Sequence, residues 1–212
     1  MRHPQARLLA APALVLWLTS LCAAGQVATL GFDPIPPGTF FGEAYGDVPG
    51  PIILIEDDIK FSLAPFLFEG SPLFYEAAVD GRFASVFPTP ALELNNITGV
   101  FDFSGVPFEI DEVTFEYREF GGLASLSVNG FSAVSVESLV DLPVSVAPGI
   151  QATVDSVRIT LSGPVNMVQI GGQELVVDTV VAVPEPATLL LLGAGVLAII
   201  RRRTQRQWCL HS

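Results

Sequence analysis

The amino-acid sequence predicts an all-β fold, an antiparallel β-sandwich, lying between one apolar segment near each end of the chain. Three observations predict it. Apolar and polar residues alternate with period two, most plainly in Val113-Thr114-Phe115-Glu116-Tyr117-Arg118-Glu119, as in a strand with one buried face. Turn signals made of Gly, Pro, Asn and Asp separate such stretches at near-regular spacing. No stretch between the two end segments carries a helical period.

The first segment opens with Arg2 and Arg7, continues through a mostly apolar run from Leu8 to Leu21, and closes on Ala23-Ala24-Gly25. A basic start, an apolar centre and small residues at the end make a secretory signal peptide over 1–25, forming a short helix and cut after Ala24 or Gly25. Its expected partners are a Sec-type export machinery and signal peptidase. A lipoprotein signal ending at Cys22 would need a small residue before the cysteine, and Leu21 is not small.

Residues 26–182 are then the exported domain, of a size that suits one core. Ala28 to Asp33 reads as a first strand, and a Pro/Gly-rich loop follows to Pro51. Ile52 to Ile55 and the alternating Ile59, Phe61 and Leu63 form a hairpin across the turn Glu56-Asp57-Asp58. Pro65 to Pro90 is Phe-rich and irregular. Leu92 and Leu94, Val100 to Phe103, and Val113 to Glu119 read as further strands. Leu126-Ser127-Val128 runs into Asn129-Gly130, a pair that favours positive φ at both turn positions and so a hairpin. Val157, Ile159 and Leu161 alternate with polar residues. Val168-Gln169-Ile170, Gly171-Gly172 and Leu175 to Val181 read as a last hairpin.

Composition narrows the function. Cys22 and Cys209, His3 and His211, and Trp17 and Trp208 all lie outside 26–182. The exported domain thus offers no thiolate, no His general base, no Ser-His-Asp triad and no His/Cys zinc site. No enzyme is expected. A glycoside hydrolase working through two carboxylates needs no His, but no motif singles out a pair, and it ranks last. Three tyrosines, Tyr45, Tyr75 and Tyr117, could line a sugar-binding face. The domain has four bases against twenty-one acids, a net charge of −17, which repels nucleic acid and anionic membrane. Such acidity suits a soluble exported surface and also attracts calcium through carboxylate oxygens. The candidate ligands are Asp33, Glu56, Asp57, Asp58 and Asp178, with a solvated hairpin tip the simpler reading for 56–58.

The second end segment is the most specific stretch. Val183-Pro184-Glu185-Pro186 breaks regular structure with two prolines. The uncharged run Ala187 to Ile200 follows, roughly 21 Å long as a helix and short of the roughly 30 Å hydrocarbon core. Arg201, Arg202 and Arg203 then snorkel to the interface and hold that end in the cytoplasm. Thr204 to Ser212 forms a cytoplasmic tail. A plain single-pass anchor fits this physics nearly as well but leaves the Pro-Glu-Pro triplet unexplained.

In the order of its triplet, short Leu/Gly/Ala-rich helix and arginine cluster, residues 183–203 resemble the PEP-CTERM sorting signal of bacterial exported proteins. The resemblance implies a transient inner-membrane anchor, recognised and removed by an exosortase-type enzyme as the protein moves to the cell surface or an exopolysaccharide matrix. The body is similar to jelly-roll, galactose-binding-like modules through Phe101-Asp102-Phe103-Ser104-Gly105 leading to Val113-Thr114-Phe115, the Leu126 to Gly130 turn, and Ile170-Gly171-Gly172-Gln173-Glu174-Leu175. Together these imply a structural or adhesive envelope protein. A carbohydrate-binding module, with or without calcium, is the alternative.

Overall fold

The computed structural model describes residues 27–79 and 87–185. The expected signal peptide over 1–25, the apolar run and the arginine cluster lie outside the described residues. Among the described residues no helix is long and apolar enough to cross a membrane.

The fold is all-β. In chain order the strands are β1 (Ala28–Leu30), β2 (Phe40–Phe41), β3 (Ile52–Glu56), β4 (Ile59–Phe68), β5 (Ser71–Leu73), β6 (Glu76–Val79) and β7 (Leu92–Asn95). They continue with β8 (Ile97–Asp102), β9 (Ile110–Val128), β10 (Val134–Val136), β11 (Ser145–Ala147), β12 (Ile150–Val154), β13 (Arg158–Ser162) and β14 (Met167–Pro184). All pairings are antiparallel, and they link the strands into one large sheet. The compact unit spans Val27–Pro184.

Two long strands, β9 and β14, organise the sheet. They pair with each other along most of their length. Beyond β9 lie β13, β12 and β11, with β10 paired to its far half. Beyond β14 lie, successively along it, β8, β7 and β1.

The sheet must fold over on itself, and four phenylalanines show how. Phe101 on β8 is paired with Val168, whereas Phe115 on β9 is paired with Val180. Those two β14 positions are twelve residues apart, about 40 Å along a straight strand. Yet the Phe101 and Phe115 rings are only 5.2 Å apart, edge to face. The bend in β14 therefore brings the two halves of the sheet face to face. Phe61 continues the stack at 5.2 Å from Phe101, and Phe32 at 5.5 Å from Phe61. All four are completely buried, and edge-to-face rings add about 0.5–1.5 kcal/mol per pair beyond area burial.

The bend sits where the sequence predicts a turn. Gly171-Gly172 is no hairpin, because β14 continues unbroken through it and both glycines lack positive φ. These glycines permit close approach instead. A Cβ on Gly171 would lie 2.5 Å from Thr98 Oγ1 and 2.9 Å from the Ile97 carbonyl oxygen. Opposite them β9 also continues, from 110 to 128, through Gly121-Gly122 with φ +139° and +75°. The register shifts here, between Gly172 and Leu175, as a bulge that sharpens twist and bend. Gln173 stitches the crease, its Oε1 accepting from Leu123 N at 2.8 Å.

Other predictions divide. The turn expected over 56–58 is shorter: Glu56 ends β3 opposite Ile59, and Asp57 and Asp58 turn at φ +47° and +64°, the signature of a two-residue hairpin turn. Asn129 and Gly130 also turn, at +54° and +75°, and Phe131 N bonds Val128 O at 3.0 Å. The returning strand starts only at Val134. The first strand stops at Leu30, which leaves Asp33 in a turn. The stretch 65–90 is less irregular than expected, since it contains β5 and β6. Pro65 is tolerated within β4 because that strand's outer edge passes from β3 to β5 at this point, leaving no donor needed there.

Candidate functional site

The sorting segment starts inside the sheet. Ala182 is completely buried on β14 and pairs with Ala28 on one side and Val113 on the other. Val183 pairs with Glu112, and Pro184 with Ile110 after a register shift. Glu185 is the first exposed residue beyond the ladder. Proline has no N–H to give the ladder, so the strand ends where the triplet begins. Pro186 and Arg201, Arg202 and Arg203 lie outside the described residues.

Residues 182–204 match the PEP-CTERM protein-sorting motif. The chain carries a PEP-CTERM sorting signal. That signal marks an exported, envelope-associated protein handled by an exosortase. The PEP-CTERM match thus overlaps the last residues of β14, with no spacer between the folded unit and the signal. No curated protein matches the chain.

Glu56 and Asp57 lie together at the β1 edge, with Asp33 Oδ2 also close to Gly31, while Asp178 stands on β14. Glu56 Oε2 accepts from Gly31 N at 2.8 Å and Asp57 Oδ2 from Thr29 N at 3.1 Å. Asp178 is buried on β14, where Thr89 Oγ1 donates to it at 2.7 Å. Burial raises its carboxyl above the usual carboxylate range, and the bonds from Thr89 and Thr179 offset only part of that. Asp33 is exposed in its turn. Among the described residues no three His, Cys, Asp or Glu side chains are grouped to hold a metal ion.

The tyrosines separate into two kinds. Tyr117 is buried, with its hydroxyl donating to the Asp155 carbonyl at 2.7 Å, and burial pushes its phenol up to about 12. It is a core residue, as its place in the alternating strand implies. Tyr45 and Tyr75 are 49% and 54% exposed and lie at the β2 edge of the sheet. Phe40, which sequence reasoning passed over, stacks on Tyr45 with centroids 5.3 Å apart and planes 21° apart. The one available signal for it was an aromatic pair, Phe40-Phe41, embedded in a Pro/Gly-rich loop.

Proposed function

We propose that this protein is an exported, acidic β-sandwich of the jelly-roll kind, delivered by its PEP-CTERM signal to the cell surface or the extracellular polysaccharide matrix, with a structural or adhesive role there. The observation that carries this reading is the continuity of β14 with the sorting motif. The signal is the direct extension of the sheet's central strand, so whatever the signal delivers is the folded β unit. A sheet folded face to face over an aromatic core supports the sandwich assignment. The lack of His and Cys between 26 and 182 supports a non-enzymatic role.

The test is to express the full chain in a host that has the sorting machinery and to weigh the surface or medium form. A product lacking the mass beyond about Val183, with the tail retained when Pro184-Glu185-Pro186 is changed to alanines, is the expected result. An intact tail in both forms would leave an ordinary anchored envelope protein.

One observation favours a second reading, a carbohydrate-binding module. Two of the three tyrosines are half-exposed at one edge, and the hydroxyl of one of them, Tyr45, donates to the Glu76 carboxylate. Aromatic faces next to hydrogen-bonding groups suit a polar, ring-shaped ligand.

A further inference from the structure

We infer that the edge formed by Phe40, Tyr45, Tyr75 and Glu76 is a binding platform for a cationic amino-sugar polymer. This rests on the carbohydrate-binding reading and adds to it a location and a charge class.

The platform is built by the chain rather than left over from packing. β2 is the outermost strand beyond β6, with Phe40 opposite Ala78 and Phe41 opposite Ala77. Gly42 follows at φ +128°, and a Cβ there would lie 2.1 Å from the Tyr75 carbonyl oxygen. Only glycine lets this loop lie against Tyr75. The loop is then closed twice, by Gly42 N to Asp47 Oδ2 at 3.0 Å and by Asp47 N to Gly42 O at 3.2 Å. Glu43 N bonds the Phe74 carbonyl at 3.1 Å and fixes the short 3-10 turn Glu43–Tyr45 against the link between β5 and β6. Tyr45 is thereby oriented, with its ring on Phe40 and its hydroxyl donating to Glu76 Oε2 at 3.0 Å.

Phe40 on β2, Tyr45 on the loop and Tyr75 just before β6 are between 43% and 54% exposed and leave apolar area in water. The stacked Phe40–Tyr45 pair, with Tyr75 at the same edge, marks a contact surface. The occupant follows from charge. Glu76 accepts from the Tyr45 hydroxyl, Asp47 closes the loop that carries Tyr45, and Glu43 precedes Tyr45 in the same short turn. The described bases are engaged elsewhere: Lys60 with Asp102, Arg158 with Glu116, and Arg118 with the Tyr117 carbonyl and the Phe87 ring. Arg82 lies outside the described residues. Carboxylates beside aromatic faces attract an ammonium group twice, by charge and through the ring quadrupole. The same field repels an acidic glycan, as does the net charge of −17 on 26–182. A polymer of protonated amino sugars combines that charge with ring faces able to lie on Tyr45 and Tyr75.

The experiment uses the purified full chain in detergent with three probes: glucosamine oligosaccharides, their N-acetylated counterparts, and galacturonate oligosaccharides, at mildly acidic pH. Glucosamine oligomers are expected to bind, with affinity falling as salt rises. The acetylated series should bind about three- to tenfold more weakly, and galacturonate not at all. Tyr75→Ala and Glu76→Gln should each weaken the glucosamine complex without moving the melting temperature. Equal affinity for both glucosamine series overturns the charge class while leaving a saccharide site in place. Binding unchanged in the Tyr75→Ala, Glu76→Gln double variant overturns the location. No binding of any saccharide defeats the inference together with the reading beneath it, and leaves the sorting assignment untouched.

Discussion

The side chain of Asp57 accepts a hydrogen bond from the backbone amide of Thr29 at 3.1 Å. Its neighbour Glu56 does the same for Gly31 at 2.8 Å. β1 already pairs with β14 through Ala28 to Leu30, so these amides lie on its other, otherwise open edge. Unpaired edges invite pairing with other chains, and here two carboxylates take the place of a strand. Glu56→Ala should therefore loosen β1, costing about 1.5–3 kcal/mol for a charge-assisted bond. Hydrogen exchange at Gly31 should accelerate selectively, and unchanged protection there would show that pairing with β14 alone holds the strand.

Gly171 sets the crease. Gly171→Ala drives a methyl group into Thr98 Oγ1 and the Ile97 carbonyl, and overpacking of this kind costs about 1–3 kcal/mol. The denaturant midpoint should fall. Adding Thr98→Ala should recover part of the loss, since the side-chain half of the clash is gone and the carbonyl half remains. A midpoint equal to that of the parent protein would mean that the crease adjusts freely.

Asp178 gives a pH signature. Its carboxyl is raised by burial, so the ionised form is the one disfavoured in the fold. The resulting penalty is fully present above the raised folded value. It fades as pH falls toward the unfolded value of about 3.9. Asp178→Asn keeps an acceptor for Thr89 and removes the charge. The variant should melt higher than the parent at neutral pH, and the gap should close in acid. A gap that widens on acidification would reverse the assignment.

Processing should depend on the end of β14. Val183 and Pro184 are still paired with β9, so an enzyme needing extended, unpaired chain at the triplet must wait for these pairs to open. A flexible Gly-Ser insertion between Ala182 and Val183, which leaves the Pro184-Glu185-Pro186 triplet whole, should speed tail removal in a pulse-chase experiment. An unchanged rate would show that the pairs at Val183 and Pro184 do not limit processing.

What could be read in the sequence was local. The Pro-Glu-Pro triplet, apolar run and arginines are contiguous, so order alone identifies them. Alternation in 113–119 correctly put Phe115 and Tyr117 inside, and Asn129-Gly130 and Asp57-Asp58 turn as their chemistry demands. What stayed hidden depends on partners distant in sequence. Gly171-Gly172 carries the same letters as a turn, and only Thr98, some seventy residues earlier in the chain, explains why glycine is required. The acids at 56 and 57 could be placed on a hairpin tip, but their partners at 31 and 29 follow from the way β1 returns to β14. Phe40 acquires meaning only when Tyr45 folds back onto it.

The route of the chain through β14 also has a mechanical consequence. A domain held by its tail and gripped from outside would be pulled along β14, parallel to its neighbours. Antiparallel strands pulled lengthwise load their cross-strand bonds together, whereas strands pulled sideways open one bond at a time. Because β9 lies along one flank of β14 while β8, β7 and β1 succeed one another along the other, tension entering at Glu185 falls first on the pairs with β9 and is shared with β1 from Ala182 inward. The body would then resist extraction along β14.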